Sequence, residues 1–321
     1  MQCNEDDSPD AARLSGHSRA KDSTMRLGAV SFFLAALCSA QTTPDKPPET
    51  TFRVGTDLVL LNVSVFDAAG KILKGLPQSA FTVYENNVKQ DITVFRQEDV
   101  PVSLGLLIDN SASMANKKDR VVSASIAMVK ASNPDDEVFV IKFSENADVV
   151  QDFTSDIATL EKTLNTSKTQ GETAMRDAVL LAIDHLRAKA KRDKRVLVII
   201  TDGEDNSSVS TQQRVVEAAH QSNVIVYAIA LLGEEQAASA ARARSQLDAL
   251  TVATGGRSWY PANVSDIAGI TPEIAHEIRN QYVLGYTPAD LTKDGKFRTI
   301  RVEVNVPGAT VRTRSGYYAR P

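Results

Sequence analysis

Four near-continuous apolar runs mark the middle of the chain: VSLGLLID from Val102, EVFVIKF from Glu137, RVLVIIT from Arg195 and NVIVYAIAL from Asn223. Strands covered on both faces read this way, because neither side of the pleat meets water. Between the runs the apolar period lengthens to that of a helix, at Val121, Val122, Ile126 and Val129, then Met175, Val179, Ile183 and Leu186, then Val215, Val216 and Ala219. Leu247 and Leu250, and then Ile267, Ile270, Ile274 and Ile278, continue it. Strand and helix in alternation predict an α/β fold, doubly wound around a mostly parallel, Rossmann-like sheet, over residues 101–280.

The flanks follow a different rule. LVLLNVSVFDAAGKIL and FTVYENNVKQDITVF, within 51–100, alternate apolar and polar positions around turns at Asp67–Gly70 and Glu85–Asn87. QYVLGYTP, FRTIRVEVNV and ATVRTRSGYYA, within 281–321, do the same around Lys293–Gly295. Neither segment has enough strands to bury a face alone. The two are expected to pair into one small β-sandwich with the α/β body inserted between them.

Ahead of these, Met25–Arg26 and the apolar stretch LGAVSFFLAALCSA have the layout of a secretory signal peptide, residues 25–40. The stretch is short for a membrane span, which needs about 20 apolar residues, so an uncleaved membrane anchor is the lesser alternative to cleavage. Residues 1–24 lack any apolar period and read as an extension without structure, and the Pro- and Thr-rich residues 41–50 read as a linker. Export to the periplasm, the cell envelope or the medium is expected. Cys3 and Cys38, the chain's two cysteines, would both be lost on cleavage after Ala40, leaving no disulfide or thiol chemistry.

Composition narrows the partners. A net charge of −4 with basic residues scattered along the chain offers no stripe for a phosphate backbone, so nucleic acid is not expected. What remains is chemistry at the strand ends. Ligands of an open α/β sheet bind beyond the carboxyl ends of its strands. Asp109, Ser111 and Ser113 stand where the first apolar run stops, Asp202 stands where the third stops, and Thr173 opens a helix between them. Five oxygen donors with no Cys or His select Mg²⁺ or Mn²⁺ over zinc or copper. Three of the five are neutral hydroxyls, so a bound ion keeps its electrophilicity and favours a carboxylate from outside.

Asp109-x-Ser111-x-Ser113, Thr173 and Asp202-Gly203 resemble the metal-ion-dependent adhesion site of von Willebrand factor type A domains. The resemblance implies that Ser111, Ser113 and Thr173 bind the metal directly, and that Asp109 and Asp202 act through water or switch with ligand. It also implies a partner protein presenting Asp or Glu. The whole layout, including the two β segments, is similar to exported von Willebrand factor A-related proteins of acidobacteria, a likeness that bears on architecture and location.

Other residues read more plainly. DNSAS alone could be a helix N-cap, since Ser and Asp satisfy free N–H groups without metal. Glu204 and Asp205 read as a solvated turn, Asp177 as a capping or surface charge, and Gly255–Gly256 as a helix stop. His185, His220 and His276 fall on separate helices and read as surface or structural residues, and the Asn-x-Ser triplets at Asn62, Asn165, Asn206 and Asn263 as chance. Gly-x-Ser-x-Gly, P-loop and Gly-x-Gly-x-x-Gly motifs are all missing, so a binding protein is expected in preference to an enzyme. The rivals are a scaffold of a cell-envelope complex with a structural metal, a Mg²⁺-dependent phosphoryl transferase using Asp109 as nucleophile, and a cytoplasmic chelatase-type partner of an ATPase. The transferase reading wants a second carboxylate where Ser111 stands, and the signal peptide argues against the cytoplasm.

Overall fold

Leu61, Val63 and Val65 alternate along strand β1 (Val59–Phe66) and send their side chains into a common core. The turn that follows is closed by the Asp67 carboxylate, which accepts from the backbone N–H groups of Ala69 and Lys71 at 2.9 and 2.8 Å. Then come β2 (Phe81–Glu85), β3 (Val88–Gln90) and β4 (Ile92–Arg96). The β2–β3 hairpin turns on Asn86 and Asn87, both at positive φ, as a tight hairpin requires. The computed structural model describes residues 58–97, 99–166, 169–203, 205–232 and 237–319. The expected extension, signal peptide and linker, both cysteines and Glu204 lie outside the described residues.

The α/β body opens with β5 (Val102–Asp109), α1 (Lys118–Ala131), β6 (Glu137–Phe143), β7 (Ala147–Thr154) and α2 (Ile157–Asn165). It continues through α3 (Met175–Lys189), β8 (Lys194–Thr201), α4 (Gln212–Ser222) and β9 (Val224–Ala230). The body closes with α5 (Ala237–Thr254), β10 (Ser258–Trp259) and α6 (Ile267–Arg279). The strands form one sheet in the order β10-β9-β8-β5-β6-β7, parallel throughout except for the antiparallel edge pair β6–β7. Leu104, Leu106 and Ile108 pack towards α1, α2 and α6, while Leu107, Phe139 and Ile141 pack towards α3, α4 and α5. Helices on both faces make the body doubly wound, as the alternation predicts. Gly105, mid-strand in β5, is small for a reason: a Cβ there would stand 2.4 Å from the Phe139 ring and 2.5 Å from Leu197.

The chain then supplies β11 (Tyr282–Tyr286), β12 (Phe297–Val304), β13 (Thr310–Arg312) and β14 (Gly316–Tyr318). Two four-stranded sheets, β13-β1-β11-β4 and β14-β12-β2-β3, each draw strands from both ends of the described chain. They share a core of Leu61, Val63, Val83, Leu284, Tyr286 and Val302, with Phe81 set against Phe95 and Tyr282 at ring distances of 5.5 and 4.8 Å. β4 and β11, through which the chain leaves for the α/β body and returns, are hydrogen-bonded neighbours. An insertion between adjacent strands leaves the host sheet intact, so the sandwich tolerates it. Among the described residues no helix is long and apolar enough to cross a membrane.

Two elements escape the sequence pattern. β7 alternates between half-buried and exposed residues along an edge, and α2 is nine residues long with only Leu160 and Leu164 buried. Neither carries enough apolar positions to announce its period.

Candidate functional site

β5 and β8 run side by side, so their carboxyl ends bring Asp109 and Asp202 to one edge of the sheet. Asp109 is buried, and its two oxygens are held differently: one accepts from the backbone N–H of Ser111 at 2.9 Å, the other from the Thr201 hydroxyl at 2.5 Å. Burial pushes the Asp109 carboxyl above its ordinary range, against those hydrogen bonds and with a further push from the Asp202 charge. The Ser111 and Ser113 hydroxyls are 3.1 Å apart, and Ser113 donates to Asp202 at 2.8 Å. The other Asp202 oxygen is ion-paired with the Lys117 ammonium.

Thr173 joins the cluster through the loop that follows Asp202. Its backbone N–H donates to the Asn206 side chain at 2.9 Å, and its carbonyl accepts from the N–H groups of Asn206 and Ser207, both at 3.1 Å. Its hydroxyl oxygen lies 4.0 Å from the position a Cβ would take on Gly203. Thus the described structure gathers Asp109, Ser111, Ser113, Thr173 and Asp202 at one end of the sheet, with Ser113 exposed and the other four buried.

The surrounding loops are tied down by backbone bonds. Asn110 N–H donates to the Phe143 carbonyl at 2.7 Å, Ala112 N–H to Gly171 at 3.2 Å, and Ala174 N–H to Ser144 at 2.7 Å. Asp205 is no solvated turn, contrary to the sequence expectation: it is buried, it is gripped by the Arg176 guanidinium at 3.1 Å from each oxygen, and it accepts from Ser208. Asp177 caps the same loop by accepting from Val209 and Ser210 N–H at 2.9 and 3.1 Å. Arg176, Asp205, Thr201 and Lys117 escape sequence reasoning because their partners lie far along the chain.

The donor set fits a hard divalent cation. Among the described residues no group of three or more His, Cys, Asp or Glu is placed to hold a metal, so an ion at this edge has to draw on the hydroxyls of Ser111, Ser113 and Thr173. These are oxygen donors near two carboxylates, on loops whose backbone is fixed. The Lys117 ammonium, ion-paired with Asp202, opposes an incoming cation.

Residues 104–204 match the von Willebrand factor type A domain. The matched stretch begins inside β5 and ends two residues past Asp202, so it takes in all five oxygen donors. Among solved structures, a von Willebrand factor type A protein from Catenulispora acidiphila is 12% identical, with a TM-score of 0.50 over 84% of this chain and 74% of that one. That coverage is longer than the α/β body, and at this identity the likeness shows the fold alone. The PilB minor pilin from Streptococcus sanguinis is 15% identical, with a TM-score of 0.45 over 57% of this chain and 62% of the pilin. BatB, a conserved hypothetical protein from Bacteroides thetaiotaomicron, is 18% identical, with a TM-score of 0.43 over 55% of this chain and 97% of that one. No curated protein matches the chain.

Proposed function

We propose that this chain is an exported binding protein, not an enzyme, that holds Mg²⁺ or Mn²⁺ at Asp109, Ser111, Ser113, Thr173 and Asp202 and captures an Asp or Glu carboxylate of a partner protein. The observation that supports it is the convergence of these five oxygen donors, from three separated stretches, at the carboxyl edge of a type A domain. Ser111, Ser113 and Thr173 hold the ion, and Asp109 and Asp202 balance its charge and orient the hydroxyls. The bound ion supplies an electrophilic point for an outside carboxylate, because most of its protein ligands are neutral. Type A domains are in general protein-interaction modules, often metal-dependent, and the signal-peptide layout of residues 25–40 supports export.

A scaffold reading, in which the metal only stabilises the loops, draws support from the Ser111–Ser113–Asp202–Lys117 chain, whose polar groups satisfy one another. Titration of Mn²⁺ into the full chain, with free ion counted by electron paramagnetic resonance, tests the metal site itself. One saturable site that disappears in Asp109→Ala is the expected result. Absence of binding by the folded protein, even after Lys117→Met removes the ammonium at Asp202, would refute the metal reading and leave DNSAS as a capped turn.

A further inference from the structure

Resting on the metal reading above, we propose that Lys117 is a tethered cation that keeps the metal's place at Asp202. A divalent ion loads only by displacing it, and Lys117 therefore sets the metal affinity of the site. Both oxygens of Asp202 are already engaged, one by the Ser113 hydroxyl and the other by the Lys117 ammonium. The Asp202 side chain is fully shielded from solvent, whereas that of Lys117 is 27% exposed. The carboxylate is fixed, and the cation stands at the open side.

A second observation sets Lys117 apart from an ordinary surface lysine. It occupies the N-cap position of α1, makes no capping hydrogen bond there, and is followed at the first helical position by Lys118. The N-terminus of a helix carries partial positive charge and disfavours lysine. Only Asp119 opposes the two lysines within that first turn. A residue that conflicts with its local helix preference is expected to answer to something outside the helix, and here that is the buried Asp202. Removing it leaves Asp202 without its cation partner, a costly state that a divalent ion would relieve.

Competition follows from charge and position. An ion held by Ser113 and Asp202 cannot share the carboxylate with an ammonium in contact with it, because like charges at that range repel strongly. Lys117 has a four-carbon stem and a route to water, so it can swing away without unfolding α1. Between Asp109 and α1 the chain forms only a short 3-10 turn, Ala112–Met114, anchored by the buried Met114. Loading is thereby coupled to a local movement of the side chain and not to a rearrangement of the sheet.

The test uses the full chain as wild type, Lys117→Met and Lys117→Arg, with Mn²⁺ binding counted by electron paramagnetic resonance and thermal melting followed in EDTA and in Mg²⁺. Lys117→Met is expected to bind Mn²⁺ at least about tenfold more tightly, since one positive charge is removed from beside the ion. It should also melt below wild type in EDTA, and Mg²⁺ should restore it. Lys117→Arg keeps the charge and should bind no more tightly than wild type. Binding by Lys117→Met where wild type shows none would support the proposal in its strongest form. Equal affinity in wild type and Lys117→Met, with Asp109→Ala abolishing both, would overturn the role of Lys117 and leave the metal site standing. Loss of binding from every variant, with Lys117→Met melting as wild type does in EDTA, would overturn both.

Discussion

Two clusters of buried polar groups bracket the α/β body, and they are built on opposite plans. In the seam against the sandwich, Glu277 of α6 accepts from Ser64 of β1 at 3.3 Å, from the Tyr227 hydroxyl of β9 at 3.2 Å and from Arg312 of β13 at 3.2 Å. Gln281 closes the ring by donating to Ser64 and Tyr227 at 3.0 and 3.3 Å. The Arg312 guanidinium lies 3.9 Å over the Phe66 ring, so even the charged partner is fixed in a plane. At the strand ends, the Asp202 carboxylate has a hydroxyl and a lysine on a flexible stem. A carboxylate locked by partners from three elements can only hold the fold together, whereas one whose cation reaches water can exchange it.

That contrast predicts unequal costs of mutation. Arg312→Met removes the hydrogen-bonded ion-pair partner of Glu277 and should lower stability by about 3 kcal/mol in urea unfolding, the low end for breaking a buried pair because Arg312 is partly exposed. Adding Glu277→Gln should recover part of that loss. A cost below about 1 kcal/mol would mean that the seam is no stronger than a surface pair and would erase the contrast.

The seam also has a pH signature. Lys194, buried beside it, donates to the carbonyl of Ile278 at the C-terminal end of α6, and burial pulls its ammonium down to about 7, against the pull of Asp99, Asp136 and Glu277. Burial likewise pulls Lys142 down to about 8, with Lys118 adding to the shift. Both lysines ordinarily titrate near 10.5, so between these values the unfolded chain holds more protons than the folded one, and stability rises with pH. The rise begins near pH 7 and ends near pH 10, where the unfolded chain's tyrosines ionise ahead of the buried Tyr227 and Tyr286, whose phenols burial has raised. Urea unfolding at pH 7 and 9.5 should show a gain of about 1 to 2 kcal/mol, discounted from the full linkage value. Lys194→Met should flatten most of it, and an unchanged slope would place the effect elsewhere.

How much of this was legible in the chain follows the same division. The four apolar runs announced β5, β6, β8 and β9 because strands covered on both faces have no freedom to be polar, and the alternation of the flanks announced the sandwich. Asp109, Ser111, Ser113, Thr173 and Asp202 could be read because each stands at the end of a periodic element. The seam could not, since Glu277, Gln281, Ser64 and Arg312 sit inside ordinary helical or strand patterns and meet only through the insertion. The same holds for Asp205, whose partner Arg176 lies on α3 across the loop. Charge alone suggested solvent; the guanidinium placed it indoors.

The smallest expected effect on stability is the sharpest test of the strand-end cluster. Thr173 carries its structural bonds on its backbone, through Asn206 and Ser207, and those bonds do not depend on the side chain. Thr173→Ala should therefore cost less than about 1 kcal/mol in urea unfolding, the range of substitutions that open no sizeable cavity and break no network. The same substitution removes one of three hydroxyl donors and should weaken Mn²⁺ binding at least about tenfold, a ratio equivalent to about 1.4 kcal/mol. A structural threonine would give the reverse, a clear loss of stability with metal binding unchanged. The two measurements on one variant thus separate a hydroxyl kept for an ion from a hydroxyl kept for the loop.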